Sequence, residues 1–157
     1  MNYDFNANEV LIMAQKIEQN GAKFYRDAAD KIGEASSKEL LLELAAMEDD
    51  HEQTFIELQK NLTEEEKKSQ TFDPDNEAVL YCKSLADMRV FFEKEIDASS
   101  LKDVLKSAIV AEKDSIVFYL GMQDLVPASL GTDKISAIIK EEMKHIRILT
   151  EKLKELK

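Results

Sequence analysis

The sequence has few residues that interrupt helices, and it has a single cysteine. Its 157 residues include 4 Gly, 2 Pro, 1 Cys and no Trp. This scarcity, with 34% charged and 44% hydrophobic residues, favours a folded helical domain over disorder or a sandwich of short strands. Because Cys82 stands alone, it can form neither an internal disulfide nor a Cys-x-x-Cys metal site. We interpret Cys82 as a small core or surface thiol.

Long apolar runs and an excess of positive charge are also missing. No apolar run approaches the roughly 20 residues that a membrane-spanning helix needs. The N-terminus, MNYDFNANEV, lacks the basic and apolar character of a secretory signal. The 21 basic and 32 acidic residues give a net charge of -11, and such a surface repels phosphate backbones. We therefore expect a cytoplasmic protein with no nucleic-acid partner and no membrane partner.

Four segments show the apolar periodicity of amphipathic helices. The predicted helices run from Ala7 to Ile32, from Ser36 to Lys60, from Ser100 to Val126, and from Thr132 to the C-terminus. Ser36 with Glu39 predicts a capping box, Ser100 with Asp103 predicts another helix start, and Thr132 is the predicted cap of the last helix. Gly33 ends the first helix, and Pro127 stops the third.

The spacing of these helices predicts their topology. Short links join the first helix to the second and the third to the fourth, whereas about forty residues separate the second from the third. We predict an all-α four-helix bundle of two antiparallel hairpins joined by a long crossover. One domain, 1–157, would comprise hairpin 7–60, crossover 61–99 and hairpin 100–157. The crossover is expected to begin as a solvated connection and to contain a short extra helix from Asn76 to about Met88.

The two halves of the sequence repeat one another. IEQNGAKFY at 17–25 aligns with AEKDSIVFY at 111–119. Adding 94 to positions 18, 24, 25, 48 and 51 gives 112, 118, 119, 142 and 145, and the residue type is the same at all five. Each half therefore places a lone Glu 30 residues before a Glu-x-x-His.

Hairpin geometry explains the spacing of 30. Gly33 is the midpoint of positions 18 and 48, and Pro127 is the midpoint of positions 112 and 142. Fifteen residues at about 1.5 Å each place both sets of side chains about 22 Å from the turns. Packed helices are roughly 8–10 Å apart, so all six groups can meet in the middle of the bundle. A Glu and a His three residues apart also share one face of their helix.

We therefore predict a site for two metal ions. Four carboxylates and two neutral imidazoles carry a charge of -4, which two divalent ions neutralise. Oxygen and imidazole ligands suit iron or manganese, and the lack of thiolate disfavours a closed zinc-finger type of site. Ordinary surface charge is a poor alternative, since it leaves unpaired carboxylates on the buried stripe. The six predicted ligands are Glu18, Glu48, His51, Glu112, Glu142 and His145.

Three further residues lie near this constellation. Tyr25 and Tyr119 each follow the lone glutamate of their half by seven positions. They could donate hydrogen bonds to ligating carboxylates or serve as ordinary core aromatics. Glu141 neighbours Glu142, but the repeat and the buried stripe both select Glu142. We expect Glu141 to be solvated.

A Glu followed by Glu-x-x-His, twice over, resembles the pattern of the ferritin-like di-iron carboxylate proteins. Within that superfamily the chain is most similar to rubrerythrin-related proteins that lack a rubredoxin domain. The resemblance implies two iron ions as cofactor, with manganese or another divalent metal as the alternative. It also implies bridging by Glu48 and Glu142, and terminal ligation by Glu18 with His51 on one ion and by Glu112 with His145 on the other.

The sequence departs from its relatives at two positions. Rubrerythrins carry a second glutamate where this chain has Ser115, which argues against their redox-linked ligand exchange. Haem-bearing bacterioferritins carry a methionine where this chain has Asp49, which argues against a haem cage. The resemblance implies an oxidoreductase that reduces hydrogen peroxide or dioxygen, with an external electron-donor protein, and we expect a homodimer. The alternatives are an iron-storage protein with a ferroxidase site and a metal-stapled scaffold that binds a partner.

Overall fold

Four long helices account for most of the computed structural model, which describes residues 6–68, 77, 80, 81, 84 and 100–156. The helices are α1 Ala7–Lys31, α2 Ala35–Lys60, α3 Glu64–Lys68, α4 Leu101–Met122 and α5 Thr132–Glu155. Helix α1 packs against α2, and α4 packs against α5, as two antiparallel hairpins. The short helix α3 follows α2 at the start of the crossover. This arrangement confirms the predicted four-helix bundle.

The predicted start of α4 is confirmed, but its predicted end is wrong. The Ser100 hydroxyl accepts a hydrogen bond from the backbone N–H of Asp103 at 3.1 Å. The helix ends at Met122 rather than Val126. The N–H groups of Leu125 and Val126 both donate to the Met122 carbonyl, at 2.9 and 3.1 Å. The chain therefore leaves the helix in a tight turn before it reaches Pro127.

The N-caps of α2 and α5 lie two residues and one residue before the predicted caps, Ser36 and Thr132. Helix α2 begins at Ala35 with Glu34 as its N-cap, so the capping box at Ser36 does not form. The Ser36 hydroxyl instead donates to the Glu34 carboxylate. Helix α5 takes Gly131 as its N-cap, and Thr132 is its first helical residue. Gly131 has a φ of 113°, a left-handed conformation that glycine adopts without strain.

The first part of the crossover is more ordered than the sequence suggested. Helix α3 opens with a reciprocal capping box, in which Thr63 Oγ1 accepts from Glu66 N–H and Glu66 Oε2 accepts from Thr63 N–H, at 3.2 and 2.8 Å. In the predicted extra helix, the four residues that the structure describes are all helical: Glu77, Leu80, Tyr81 and Ser84. The rest of that helix lies outside the described residues, as does Cys82.

Apolar side chains form two clusters along the bundle, and buried polar side chains lie between them. On α1, Ile17 belongs to one cluster and Tyr25 to the other, and Glu18 lies between these two residues. On the other three long helices, the buried glutamate and histidine side chains likewise lie between residues of the two clusters. The polar layer comprises Glu18, Glu48, His51, Glu112, Ser115, Glu142 and His145. None of the helices in the described part of the chain is long and apolar enough to cross a membrane.

Candidate metal centre

The structure brings all six predicted ligands together in this polar layer. Each of the four long helices contributes at least one of them, and none is more than 4% exposed. Such complete burial of four carboxylates is costly unless each one is paired or binds a cation. Four buried carboxylates are unusual in a protein core, so this layer needs positive charge to offset the cost of burying them.

The six side chains form two overlapping groups, and either group could hold a metal ion. In each group, one oxygen or nitrogen atom per residue lies within 4.8 Å of all the others. Glu48 and Glu142 belong to both groups, whereas the other four residues belong to one each. The first group is Glu18, Glu48, His51 and Glu142, and the second is Glu48, Glu112, Glu142 and His145. The geometry therefore suits two neighbouring cations with two carboxylates in common.

Both histidines turn the same ring nitrogen towards the carboxylates. His51 Nδ1 lies 3.0 Å from Glu142 Oε1, and His145 Nδ1 lies 3.0 Å from Glu142 Oε2. The two rings are nearly parallel, at 17°, with centroids 5.6 Å apart. Glu142 therefore faces one histidine with each of its oxygens, as expected of a carboxylate placed between two metal positions.

The site contains polar atoms that no protein group satisfies. Among the described residues, six buried side-chain atoms have no hydrogen-bond partner, and all six belong to predicted ligands. Buried polar atoms without partners are rare in native proteins, and they mark places where an ion or another group binds. These atoms converge and combine carboxylate oxygens with imidazole nitrogens, which is a donor set suited to iron or manganese. The residues present therefore fit a pair of divalent cations.

The mutual influence of these groups shifts their pKa values strongly. Burial disfavours the charged form of His51, but the carboxylates of Glu142 and Glu18 outweigh it and raise its pKa to about 12. The pKa of His145 is also raised to about 12, because Glu112, Glu142 and Glu48 outweigh burial in the same way. Without a metal, the two protonated imidazoles supply positive charge that balances part of the negative charge of the carboxylates.

The carboxylates divide into two classes. Burial, followed by repulsion from Glu48 and Glu112, raises the pKa of Glu142 to about 8. Burial is also the main cause that raises the pKa values of Glu48 and Glu18. Glu112 differs: burial raises its pKa, but the nearby His145 and Glu142 groups and the hydrogen bond from Tyr25 outweigh burial and leave that pKa lowered.

Two tyrosines connect the hairpins at the site. The Tyr25 hydroxyl on α1 donates to Glu112 on α4, and the Tyr119 hydroxyl on α4 donates to Glu18 on α1. Burial, followed by the nearby carboxylate charges, raises the pKa of both phenols well above 10, so both remain donors at neutral pH. Each tyrosine therefore restrains the lone glutamate of the opposite half.

Glu141 contacts the site, a role that the sequence analysis missed. Its side chain is 58% exposed, in keeping with the expected solvation, yet its Oε2 lies 2.6 Å from Nε2 of His51. Adding 94 to 47 gives 141, so the repeat pairs Glu141 with Met47. Met47 Sδ lies 3.2 Å from Nε2 of His145, the corresponding contact in the other half. The repeat relates the two positions, but their residue types differ, so nothing in the sequence signals these contacts.

Gly21 on α1 also borders the site. A Cβ atom built at this position would lie 3.1 Å from Glu48 Oε2, closer than an ordinary van der Waals contact. Its partner in the repeat is Ser115, which is also small and whose hydroxyl donates to the Ala111 carbonyl at 3.0 Å. The signal in the sequence was the small residue at both positions, and at Gly21 the close approach of Glu48 to the helix explains it.

The comparisons with known proteins agree with this geometry. The sequence model of the family described as Rubrerythrin matches residues 9–99, which is more than half of the chain. A crystal structure of a protein described as a ferritin-like diiron-carboxylate protein from Thermotoga maritima is 26% identical to this chain, with a TM-score of 0.72. The match covers 98% of this chain and 97% of that chain. None of the curated proteins matches the sequence.

Proposed function

The chain belongs to the rubrerythrin family, and from this premise we propose that it is a non-haem di-iron oxidoreductase. Its substrate would be hydrogen peroxide or dioxygen, and its electrons would come from another protein. The observation that carries the proposal is the buried centre of two overlapping groups, each with three carboxylates and one imidazole. Hard oxygen donors with one imidazole per ion suit iron.

The overlap of the two groups supports a distinct role for each ligand. Glu48 and Glu142 would bridge the two ions, because both belong to both groups. Glu18 with His51 would complete the coordination of one ion, and Glu112 with His145 that of the other. When two iron(II) ions are bound, they would supply the two electrons that reduce one hydrogen peroxide to two waters, with two protons from solvent.

The side chains around the ligands favour a resident cofactor over iron in transit. Tyr25 and Tyr119 each donate to a terminal carboxylate from the opposite hairpin, which holds that carboxylate in one orientation. Ser115 offers no further carboxylate, and its hydroxyl is satisfied by its own helix. A fixed set of four carboxylates suits repeated turnover at one site better than the passage of iron through it.

The experiment that tests the proposal is anaerobic loading with iron(II), followed by stopped-flow mixing with hydrogen peroxide or with dioxygen. Oxidation of the bound iron should consume about one peroxide per chain, in line with two electrons per centre. A chemical reductant should then restore the iron(II) state and permit further rounds, while the iron content stays constant. The variant with both His51 and His145 changed to Ala should show neither reaction.

Two outcomes would contradict the proposal. Iron that accumulates well beyond two ions per chain would indicate storage rather than turnover. Loaded protein that reacts with neither oxidant, in the presence of reductant, would indicate a structural metal site.

A further inference from the structure

The two histidines of the centre have chemically different partners on their outward nitrogens. Nε2 of His51 lies 2.6 Å from a carboxylate oxygen of Glu141, whereas Nε2 of His145 lies 3.2 Å from the thioether sulfur of Met47. The inward nitrogen, Nδ1, faces the ligand carboxylates in both cases. The two halves of the site therefore differ behind the histidines rather than among the ligands.

A carboxylate and a thioether hold an imidazole very differently. When the Nε2–H of His51 donates to Glu141, the bond is charge-assisted, and the lone pair of Nδ1 remains directed at the metal. Such a carboxylate partner fixes the ring and raises its basicity as a ligand. The sulfur of Met47 is only a weak acceptor, so His145 gains little of either effect.

Ligand identity cannot by itself make the two positions unequal. Each position has the same residue types, namely two shared glutamates, one terminal glutamate and one histidine. Each terminal glutamate also accepts a hydrogen bond from a tyrosine of the opposite hairpin. The symmetry is broken at one pair of equivalent positions, where Glu141 contacts His51 and Met47 contacts His145.

We propose that Glu141 is a positioning residue that makes the two metal positions inequivalent. The position of Glu18 and His51 binds a divalent ion first and more tightly, and the position of Glu112 and His145 binds the second ion more weakly. This inference rests on the proposed two-metal centre and concerns the order in which it fills. Loss of a carboxylate behind a ligating histidine typically weakens metal binding by about 10–100-fold.

The test is a titration of chelator-treated protein with manganese(II), followed by calorimetry and by electron paramagnetic resonance of free manganese. The wild-type chain should bind two ions in two steps, with the first at least about tenfold tighter. Glu141→Ala should weaken the first step by about tenfold or more and leave the second unchanged, so that the two steps merge. His51→Ala should abolish the tight step, and His145→Ala should abolish the weak one.

Glu151→Ala is the matched control, because Glu151 lies on the same helix and its side chain is also 58% exposed, but it pairs with Arg147 at 3.1 Å. Both binding steps should remain as in the wild type. Met47→Leu should change the second step by less than about threefold, since a weak acceptor contributes little. Glu141 is exposed, and alanine is the best helix former, so Glu141→Ala should fold.

The outcomes separate this inference from the proposed function. Two equal steps in the wild type, or equal behaviour of Glu141→Ala and Glu151→Ala, would overturn the inference and leave the two-metal centre intact. A similar weakening of both steps by Glu141→Ala would also overturn it, because it would indicate loss of negative charge rather than loss of the hydrogen bond. A wild-type chain that binds fewer than two ions would overturn both.

Discussion

The hydroxyl of Tyr119 donates a hydrogen bond to the carboxylate of Glu18, although 101 positions separate the two residues in the sequence. Tyr25 and Glu112 form the equivalent bond in the opposite direction, from α1 to α4. Each hairpin thus supplies the donor that fixes the terminal carboxylate of the other. The two hairpins are coupled through the site itself as well as through their apolar clusters.

Tyr119→Phe tests this coupling. The change leaves the Glu18 carboxylate buried with one donor fewer, so the metal-free protein should lose about 1–3 kcal/mol of its free energy of unfolding. Two metal ions should still bind, but more weakly by about tenfold, because the carboxylate is less firmly oriented. Denaturant unfolding and metal titration measure the two effects. Tyr25→Phe should behave alike, and a variant as stable as the wild type would contradict the role assigned to the bond.

The pKa shifts predict how the stability of the metal-free protein depends on pH. Groups with a raised folded-state pKa stabilise the native state below their unfolded pKa and lose that contribution as pH rises through the folded value. For Glu142 this window runs from 4.5 to about 8. For His51 and His145 it begins at 6.5 and extends to about 12. The lowered pKa of Glu112 acts in the opposite direction, but on one group only.

The melting temperature of chelator-treated protein should therefore fall between pH 5 and pH 8.5. Metal binding should release protons in the same range, because cations displace them from imidazole and carboxylate. Thermal melts across pH measure the first effect, and calorimetry in buffers of different ionisation enthalpy measures the second. A protein with His51 and His145 both changed to Ala is the control, and it should respond less. A melting temperature that rises steadily with pH would contradict the assigned pKa shifts.

Gly21→Ala should have opposite effects on folding and on metal binding. Alanine favours a helix interior over glycine by about 1 kcal/mol, so the metal-free protein should be as stable as the wild type or more so. The new Cβ would lie 3.1 Å from Glu48 Oε2, so that carboxylate must shift and metal binding should weaken. Gly33→Ala is the control, because its Cβ would meet nothing within 4 Å. Unchanged metal affinity in Gly21→Ala would show that Glu48 tolerates the shift.

The repeat made the four ligand-bearing helices predictable. Each lone Glu lies as far from its turn as the Glu-x-x-His of the same hairpin, so helix length alone brings Glu18 to the height of Glu48. Glu141 was not predictable in this way, since its partner His51 lies on another hairpin at a distance that no sequence offset encodes. The predicted cap at Ser36 is also wrong, because the helix already begins at Ala35 and the Ser36 hydroxyl donates to the Glu34 carboxylate.

In the proposed centre, two metal ions share the carboxylates of Glu48 and Glu142. The most direct test is elemental analysis of protein reconstituted with iron(II) and freed of unbound metal. The wild-type chain should retain two ions, one for each ligand group. Glu48→Ala and Glu142→Ala should each retain at most one tightly bound ion, because either change removes a ligand from both positions. Full loading of both variants would contradict the shared site.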